Sequence, residues 1–321
     1  MSKKYLITGG AGFIGSHLSE RLVNEGHFVQ VLDDLSTGRM ENVEHLTQKS
    51  NFKIKVGSVL DKVTLEELVQ EAEVIVHLAA AVGVKYIMDN PLKSLLINIR
   101  GTENILELAN YQKKLTLIAS TSEVYGKNEN IPLEESDDRI LGCTYISRWG
   151  YACSKAVDEF LALAYFREKK LPVVIVRFFN TCGPRQTGSY GMVIPKFIKS
   201  AMLNQPITIF GEGDQSRCFT YINDVVEAML RLLSCPQAHG EIINIGSTEL
   251  VSINDLAERI VRFTGSSSTI DHIDPRQVFG ENFEDMRVRK PDISKLLKLT
   301  GFAPATPLDE VLKKTIEYFE K

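Results

Sequence analysis

Short apolar runs alternate with helix-length amphipathic segments through the first half of the 321-residue chain. Most of these runs are almost continuously hydrophobic, which is typical of strands that are buried on both faces of a parallel sheet. Right-handed crossovers through the amphipathic segments would then build a doubly wound sheet. The predicted strands are Tyr5–Thr8, Phe28–Asp33, Phe52–Val56, Val74–Leu78, Leu115–Ser120 and Val173–Phe178, and the predicted helices between them are Ile14–Asn24, Leu65–Glu71, Leu92–Tyr111 and Tyr151–Glu168.

The composition of the sequence changes after Asn180, where glycine and proline residues separate shorter predicted elements. We expect a first α/β domain over residues 1–179, with later segments near 218–246 returning to it, and a smaller α/β domain that lies mainly within 180–321. No flexible linker is visible in the sequence, so the two domains should share an interface. The helices predicted in this second part are Val193–Leu203, Asp224–Leu233, Asn254–Thr264 and Leu308–Phe319.

Composition argues against several classes of partner. The formal net charge of -4 gives no general electrostatic reason to bind nucleic acid or an acidic membrane surface. The five cysteines are odd in number and form no C-x-x-C pair, so neither a disulfide framework nor a metal site is expected. The start MSKKYLITGG enters a strand directly, without a signal-peptide pattern, and no apolar run approaches the ~18 residues of a membrane span. The expectation is a cytoplasmic protein.

A glycine-rich turn joins the first predicted strand to the first predicted helix. The run TGGAGFIG places glycines at Gly9, Gly12 and Gly15, where they allow a tight turn and the close approach of a pyrophosphate to a helix N-terminus. Asp33 closes the second strand, and a carboxylate there accepts the adenosine ribose hydroxyls and repels a 2′-phosphate. The sequence therefore predicts a Rossmann-like site for NAD rather than NADP.

A tyrosine and a lysine lie one helical turn apart in the segment GYACSK. Tyr151 and Lys155 share one face of the predicted helix, and Thr121 ends the fifth predicted strand at the edge where ligands of such sheets bind. Oxidation of a carbinol requires a base for the hydroxyl proton, and a nearby positive charge lowers the pKa of a phenol toward that use. We expect Tyr151 to be the base, Lys155 to lower its pKa and Thr121 to hold the reacting oxygen.

These motifs together resemble the extended short-chain dehydrogenase/reductase family, specifically its NAD-dependent nucleotide-sugar epimerases and dehydratases. The resemblance covers nearly the whole chain, through TGGAGFIG (8–15), HLAA (77–80), STSEVYG (120–126), YACSK (151–155), RFFNTCGPRQ (177–186) and FGEGDQSRCFTYINDVV (210–226). It implies oxidation of a UDP-hexose or UDP-N-acetylhexosamine to a 4-keto intermediate and a homodimer formed through the helices Leu92–Tyr111 and Tyr151–Glu168. The resemblance further implies cofactor contacts by Phe13, Ile14, Ser58, Val59, Leu78, Ala79, Ala80 and Asn98, with Lys155 at the nicotinamide ribose, and substrate contacts by Asn180, Arg185, Val193, Arg217 and Arg287.

Glu123 bears most directly on the reaction that follows the 4-ketone. In the dehydratases that this chain resembles, the matching glutamate removes the C5 proton, so a 4,6-dehydratase of a UDP-linked N-acetylglucosamine type is the leading expectation. A 4-epimerase needs only Thr121, Tyr151 and Lys155, and it follows closely. A UDP-glucuronate decarboxylase ranks third, because the arginine expected after Gly-Pro-Arg appears here as Met192. A dinucleotide-sensing module without catalysis and a simple alcohol dehydrogenase remain as other classes.

Overall fold

The computed structural model describes residues 2–188, 192–279, 284 and 286–320. Within these residues, a seven-stranded parallel sheet in the order β11-β6-β5-β4-β1-β2-β3 forms the centre of the molecule. The strands are β1 (Lys4–Thr8), β2 (Phe28–Asp33), β3 (Phe52–Val56), β4 (Val74–His77), β5 (Leu115–Thr121), β6 (Val173–Phe178), β7 (Thr181–Cys182), β8 (Ile207–Phe210), β9 (Ser216–Cys218), β10 (Thr220–Tyr221), β11 (Glu241–Ile245), β12 (Leu250–Ser252), β13 (Ile270–Ile273) and β14 (Val288–Arg289).

Helices cover both faces of this sheet and build most of the second part of the chain. They are α1 (Phe13–Asn24), α2 (Lys62–Glu71), α3 (Val84–Asp89), α4 (Pro91–Tyr111), α5 (Arg148–Lys169), α6 (Val193–Met202), α7 (Ile222–Leu233), α8 (Ile253–Thr264), α9 (Arg276–Phe279), α10 (Ser294–Thr300) and α11 (Leu308–Phe319). No helix among the described residues has both the length and the apolar character that crossing a membrane requires.

The predicted doubly wound α/β fold is confirmed. All six predicted strands are present with ends that differ by at most one residue, and β4 and most of β6 are buried as their apolar sequences indicate. The seventh strand, β11, pairs in parallel with β6 and comes from the segment that was expected to return to the first domain. The sheet therefore presents the carboxyl ends of seven strands along one edge, where ligands of such folds bind.

The eight predicted helices are also confirmed, but several begin earlier than predicted. The largest differences are at α2 and α5, which each begin three residues before the predicted start. Asp61 explains the first, because its side chain accepts a hydrogen bond from the backbone N–H of Thr64 and so caps α2. The early start of α5 at Arg148 adds a turn that carries an arginine toward the site described below.

The second part of the chain contributes small sheets beside the central one. One has the order β12-β9-β14, with β9 paired to β12 in antiparallel and to β14 in parallel fashion. Another joins β10 to β7, which directly follows β6 in sequence. Helices α6, α8 and α11 pack against one another behind these strands. This arrangement brings β9 and β14 close to the end of β5.

Candidate active site

The backbone of the turn between β1 and α1 leaves no space for side chains at Gly9 and Gly15. Gly9 has a φ of +71°, a left-handed conformation that glycine adopts without strain. A Cβ at Gly15 would lie 2.2 Å from the Gly9 carbonyl oxygen, so a larger residue at position 15 would force the loop to move. Gly12 occupies the N-cap of α1 without a side-chain cap, which leaves N–H groups of the first helical turn for a ligand. This cradle fits the pyrophosphate of a dinucleotide.

Asp33 ends β2 beside this cradle. Its side chain is buried and accepts hydrogen bonds at 2.9 Å from the backbone N–H groups of both Ala11 and Leu35. Burial raises the pKa of the carboxyl, and these hydrogen bonds oppose that effect. A carboxylate offers about four acceptor positions, so it retains acceptor capacity for ribose hydroxyls. The position fits the predicted role at the adenosine ribose of NAD.

The other residues expected to contact the cofactor lie along the same edge of the sheet. Leu78, Ala79 and Ala80 directly follow β4, Ser58 and Val59 follow β3, and Phe13 and Ile14 open α1. Asn98 on α4 is buried, and its side chain accepts from the backbone N–H of Ala81 at 2.8 Å and donates to Ser154 Oγ at 3.1 Å. Through these two bonds, Asn98 connects the loop after β4 to the helix that carries Tyr151.

Thr121 and Tyr151 meet at the end of β5. The Thr121 side chain forms a hydrogen bond with Tyr151 and also accepts from the backbone N–H of Glu123 at 3.2 Å. Tyr151 borders a cavity of about 150 Å³ between α4 and α5 that Asn98 also lines. The structure thus brings together the hydroxyl and phenol that the sequence analysis assigned to the reacting oxygen.

Lys155 lies one helical turn after Tyr151 on α5 and forms an ion pair with Asp158. Its Nζ donates a hydrogen bond to Asp158 Oδ2 at 2.6 Å, and both side chains are buried. Burial raises the pKa of Tyr151, and the charges of Glu123 and Asp158 raise it further. The lowering of this pKa by Lys155 together with oxidised NAD stays a prediction.

Two arginines hold the carboxylate of Glu123. Arg289 Nη2 lies 2.7 Å from Glu123 Oε1, and Arg148 Nη2 lies 3.5 Å from Oε2. We call Arg148 and Arg289 the arginine pair; their side chains are 9% and 7% exposed. Burial alone would raise the pKa of Glu123, but the charges of Arg289, Arg148 and Arg217 outweigh burial and lower the pKa to about 2. Glu123 is therefore ionised throughout the physiological pH range.

The sequence analysis did not assign either member of the arginine pair to the site. The spacing of Arg148 could have indicated its place at the site. It lies three residues before Tyr151 and so shares a helical face with it. Arg289 belongs to a two-residue strand and reaches Glu123 from 166 positions along the chain. No local pattern in the sequence indicates that contact.

Not all of the expected substrate residues converge on this site. Arg217 on β9 is 8% exposed and lies close enough to Glu123 to lower its pKa, as expected of a site residue. Arg185 instead forms an ion pair with Glu20 on α1, and its backbone has a φ of +68° that turns the chain there. The Arg287 side chain is 85% exposed and pairs with Asp214 at 3.1 Å, so Arg289 rather than Arg287 enters the site.

Asn180 and Val193 are the remaining residues that were expected to bind the substrate. Asn180 lies between β6 and β7, and its side chain donates to the carbonyl oxygen of Cys218 at 3.1 Å. Val193 is the first residue of α6, and no side chain caps that helix N-terminus. Free N–H groups at such a position can bind an anion. Their contact with a nucleotide diphosphate stays a prediction.

The chain is similar to known proteins over almost its whole length. Residues 6–315 match the family model described as GDP-mannose 4,6 dehydratase. The site combines a glycine-rich cradle, an acidic residue at the end of β2, and Thr121, Tyr151 and Lys155. This combination is typical of NAD-dependent enzymes that modify nucleotide sugars. The chain belongs to the GDP-mannose 4,6-dehydratase family, within the extended short-chain dehydrogenases, and its cofactor is NAD.

Relatives with curated names carry out several reactions. The chain is 44% identical over 322 residues to a UDP-N-acetyl-alpha-D-glucosaminuronate decarboxylase of Bacillus cytotoxicus, covering 100% of this chain and 99% of that protein. It is 37% identical to UDP-glucuronic acid decarboxylase 1 of Xenopus tropicalis, covering 99% of this chain and 72% of that protein. The structure of UDP-glucuronic acid 4-epimerase from Bacillus cereus, in complex with UDP-glucuronic acid and NAD, is similar with a TM-score of 0.89, 30% identity and coverage of 99% of both chains.

Proposed function

We propose that this enzyme decarboxylates a UDP-linked uronic acid, of the UDP-N-acetylglucosaminuronate or UDP-glucuronate class, through a 4-keto intermediate. The observation that carries the proposal is the arginine pair, which places two buried guanidinium groups at Glu123, two residues after Thr121 and close enough to Tyr151 for the Glu123 charge to raise its pKa. Arginine binds carboxylates in a planar, bidentate fashion, and a neutral sugar would not need two such groups at C6. The curated relatives in Bacillus cytotoxicus and Xenopus tropicalis support the same reaction.

The chemistry divides into oxidation, loss of carbon dioxide and reduction. Tyr151 takes the proton of the C4 hydroxyl while Thr121 holds its oxygen, and bound NAD supplies the chemistry of accepting a hydride from C4 and returning it. The C4 ketone makes the C6 carboxylate part of a β-keto acid. The C5–C6 bond then breaks, carbon dioxide leaves, and the electron pair moves to the C4 oxygen as an enolate. A proton from water, taken up at C5, restores the C4 ketone, and Tyr151 returns its proton to the C4 oxygen when that ketone is reduced.

Glu123 is a poor base in this environment. A carboxylate whose pKa is about 2 has little tendency to remove a proton from C5, which is the task that a 4,6-dehydratase of the expected type requires of it. The comparisons support modification of a UDP-sugar and do not support 4,6-dehydration in particular. In our proposal Glu123 keeps the arginine pair in place, and the substrate carboxylate shares those guanidinium groups with it.

Met192 stands where a substrate-binding arginine was expected, and decarboxylation ranked third for that reason. The structure has arginines at this site that come from other elements, Arg148 from the first turn of α5 and Arg289 from β14. We infer that these two side chains bind the substrate carboxylate, so an arginine at position 192 is not required.

A uronic acid 4-epimerase is the second candidate. The structurally similar Bacillus cereus enzyme is named a UDP-glucuronic acid 4-epimerase, and a substrate that keeps its carboxylate would also suit the arginine pair. The two reactions share the 4-keto intermediate and differ in whether the C5–C6 bond breaks.

The decisive experiment separates these reactions by mass. The purified protein is incubated with UDP-N-acetylglucosaminuronate, UDP-glucuronate and UDP-N-acetylglucosamine, with the uronic acids labelled at C6 by a heavy carbon isotope. We expect labelled carbon dioxide and a UDP-pentose product from one of the uronic acids. A product of unchanged mass that is inverted at C4 would establish the epimerase, and loss of water from UDP-N-acetylglucosamine would establish the dehydratase.

We further propose the domain division and assembly that the sequence analysis predicts. Residues 1–179, with β11, hold NAD, while residues 180–321 mainly hold the UDP-sugar. Large apolar side chains are exposed on the helices expected at the dimer interface, including Leu92 and Tyr111 on α4 and Phe160 on α5. Because α4 and α5 pack side by side, these side chains suit burial against a second copy of the chain.

A further inference from the structure

Asp158 is a buried carboxylate that the proposed reaction does not use. It lies three residues beyond Lys155 on α5, is 0% exposed, and its Oδ2 accepts from Lys155 Nζ at 2.6 Å. Burial raises the pKa of this carboxyl, and the charge of Lys155 with side-chain hydrogen bonds from Lys155 and Thr102 opposes that rise. A buried carboxylate is costly unless it is paired and hydrogen-bonded, so Asp158 depends on the Lys155 ammonium for its place on α5.

The groups around the Lys155–Asp158 pair are neutral or already matched. His77 on β4 bonds Thr8 Oγ1 through Nδ1 at 2.7 Å and Thr102 Oγ1 through Nε2 at 3.3 Å. Burial and the charge of Lys155 lower the pKa of His77 to about 3, so this imidazole is uncharged at neutral pH. The neighbouring carboxylate of Glu159 on α5 is held by the guanidinium of Arg177 on β6 at 2.8 Å.

Tyr151 lies one helical turn before Lys155 and two turns before Asp158 on α5. An ammonium on this face would by itself stabilise a phenolate. Asp158 opposes that effect, and it is one of the carboxylates that raise the pKa of Tyr151 after burial and Glu123. The helix therefore carries, beyond Tyr151, an ammonium and a carboxylate that are paired with each other.

We propose that Asp158 is a positioning residue that fixes the Lys155 ammonium and offsets its charge beside the Tyr151 hydroxyl. The proposal rests on the role that the proposed function gives to Tyr151. Since Asp158 Oδ2 engages one of the three N–H bonds of the ammonium, the other two stay available for hydroxyl acceptors. Tyr151 then stays protonated unless further positive charge, which oxidised NAD carries, enters the site.

The test measures the protonation of Tyr151 directly in the NAD-saturated protein. Tyrosine labelled isotopically at Cζ is incorporated, and the Tyr151 resonance is assigned by its loss in Tyr151→Phe and followed as the pH is raised. In Asp158→Asn we expect the titration midpoint to fall by about one pH unit or more, because the ammonium is no longer offset. The matched control is Glu168→Gln, which removes an exposed carboxylate from the same helix and should leave the midpoint unchanged.

Two outcomes would overturn the proposal. One is an Asp158→Asn midpoint equal to or above that of the parent protein, and the other is failure of Tyr151 to titrate in both proteins before they unfold. Should Asp158→Asn not fold, the double variant Lys155→Met, Asp158→Leu removes both charges. Its midpoint should stay within about half a pH unit of the parent, whereas a clear rise would mean that Lys155 acts without an offset.

The titration requires no sugar substrate, so its result is independent of the decarboxylation assay. Absence of labelled carbon dioxide would defeat the proposed function and leave the Asp158 measurement intact. An unshifted Tyr151 midpoint in an active decarboxylase would defeat only the role given to Asp158.

Discussion

Arg287 and Arg289 stand two residues apart and occupy opposite environments. The Arg289 side chain is 7% exposed and binds Glu123, whereas that of Arg287 is 85% exposed and binds Asp214. A guanidinium in the exposed position gains little from its ion pair, because water and salt screen it. In the buried position the same group is strongly coupled to any anion in the site. The two residues are thus a natural pair of test and control.

Arg289→Gln should lower kcat/KM for the UDP-uronic acid by about 100-fold or more, since it removes one partner of a buried charged hydrogen bond. Arg287→Gln, the control, should change it less than about threefold. Steady-state kinetics on the uronic acid and NAD binding by calorimetry distinguish loss of substrate recognition from loss of fold. Equal activity of the two variants would remove the arginine pair from the proposed site.

Glu123 also links stability to pH. Its pKa is lowered from 4.5 to about 2 in the folded protein, so its ionised form contributes stability that is fully present above the unfolded pKa. That contribution is lost as the pH falls from about 4.5 toward about 2. At neutral pH, Glu123→Gln leaves the arginine pair without its carboxylate and should lower the free energy of unfolding by a few kcal/mol.

We expect the difference in unfolding free energy between Glu123→Gln and the parent protein to shrink as the pH is lowered from neutral to about 3.5. Urea unfolding at a series of pH values measures it. A difference that stays constant across this range would show that Glu123 stabilises the fold through packing and not through its charge.

Among the elements, the turn from β1 to α1 tolerates the least change. A Cβ at position 15 would lie 2.2 Å from the Gly9 carbonyl oxygen and 2.6 Å from Gly10 Cα, both of which are backbone atoms. Backbone cannot yield as a flexible side chain does, so accommodation would displace the N-terminus of α1. That displacement would reach the N–H groups that fit the cofactor pyrophosphate.

Gly15→Ala should therefore weaken NAD binding by at least about tenfold, by shifting the pyrophosphate cradle. Gly188→Ala serves as the matched control, because its nearest heavy atom, Lys196 N, would be 3.4 Å away in ordinary contact. Calorimetric titration of each variant with NAD provides the comparison. Unchanged affinity in Gly15→Ala would mean that the cofactor is held elsewhere.

The elements differ in how far the sequence alone predicts them. The periodicity of hydrophobic residues is enough to predict the strands and the long helices. The positions of Thr121, Tyr151 and Lys155 on those elements then predict that they lie near one another. The arginine pair could not be predicted in this way, because Arg289 sits on a two-residue strand whose partner β9 is distant in sequence. The Lys155–Asp158 bond has i, i+3 spacing, but spacing does not state that both side chains are buried. Burial is a property of the assembled chain.

At the scale of the whole molecule, one buried network ties the sheet to the second part of the chain. Asn244 on β11 is 0% exposed; its side chain accepts from Tyr125 Oη at 2.7 Å and donates to the carbonyl oxygens of Leu133 and Asp292 at 3.0 and 3.1 Å. The guanidinium of Arg177 lies 4.7 Å from the centre of the Tyr125 ring. Asn244 therefore connects the central sheet to two segments that lie far apart in sequence.

Asn244→Ala should lower the free energy of unfolding by about 2–4 kcal/mol, because several buried polar groups lose their partners at once. Asn24→Ala is the control; Asn24 is exposed and accepts from Lys49, so the change there should stay within about 0.5 kcal/mol. Chemical denaturation of both variants measures the difference. A small effect at Asn244 would show that the surrounding backbone finds other partners.

The proposed dimer is a further property of the whole molecule. Phe160→Glu places a charge on the exposed face of α5, where Phe160 is 59% exposed, and should convert a dimer to a monomer. Tyr145→Glu is the control, since Tyr145 is 93% exposed and lies outside α4 and α5. Light scattering coupled to size-exclusion chromatography gives the mass of each. A parent protein that elutes as a monomer, or a dimer that Phe160→Glu leaves intact, would exclude this interface.

The order of the strands in the sheet also affects how the chain folds while it is being synthesised. β6 ends at Phe178, but β11, which covers its free side, is not synthesised until residues 241–245. A growing chain that has left the ribosome only as far as β6 presents that strand as an open sheet edge, with unpaired N–H and C=O groups. Translation that pauses between these two strands exposes a template for pairing with other chains, so protection during synthesis is a requirement that this topology places on the cell.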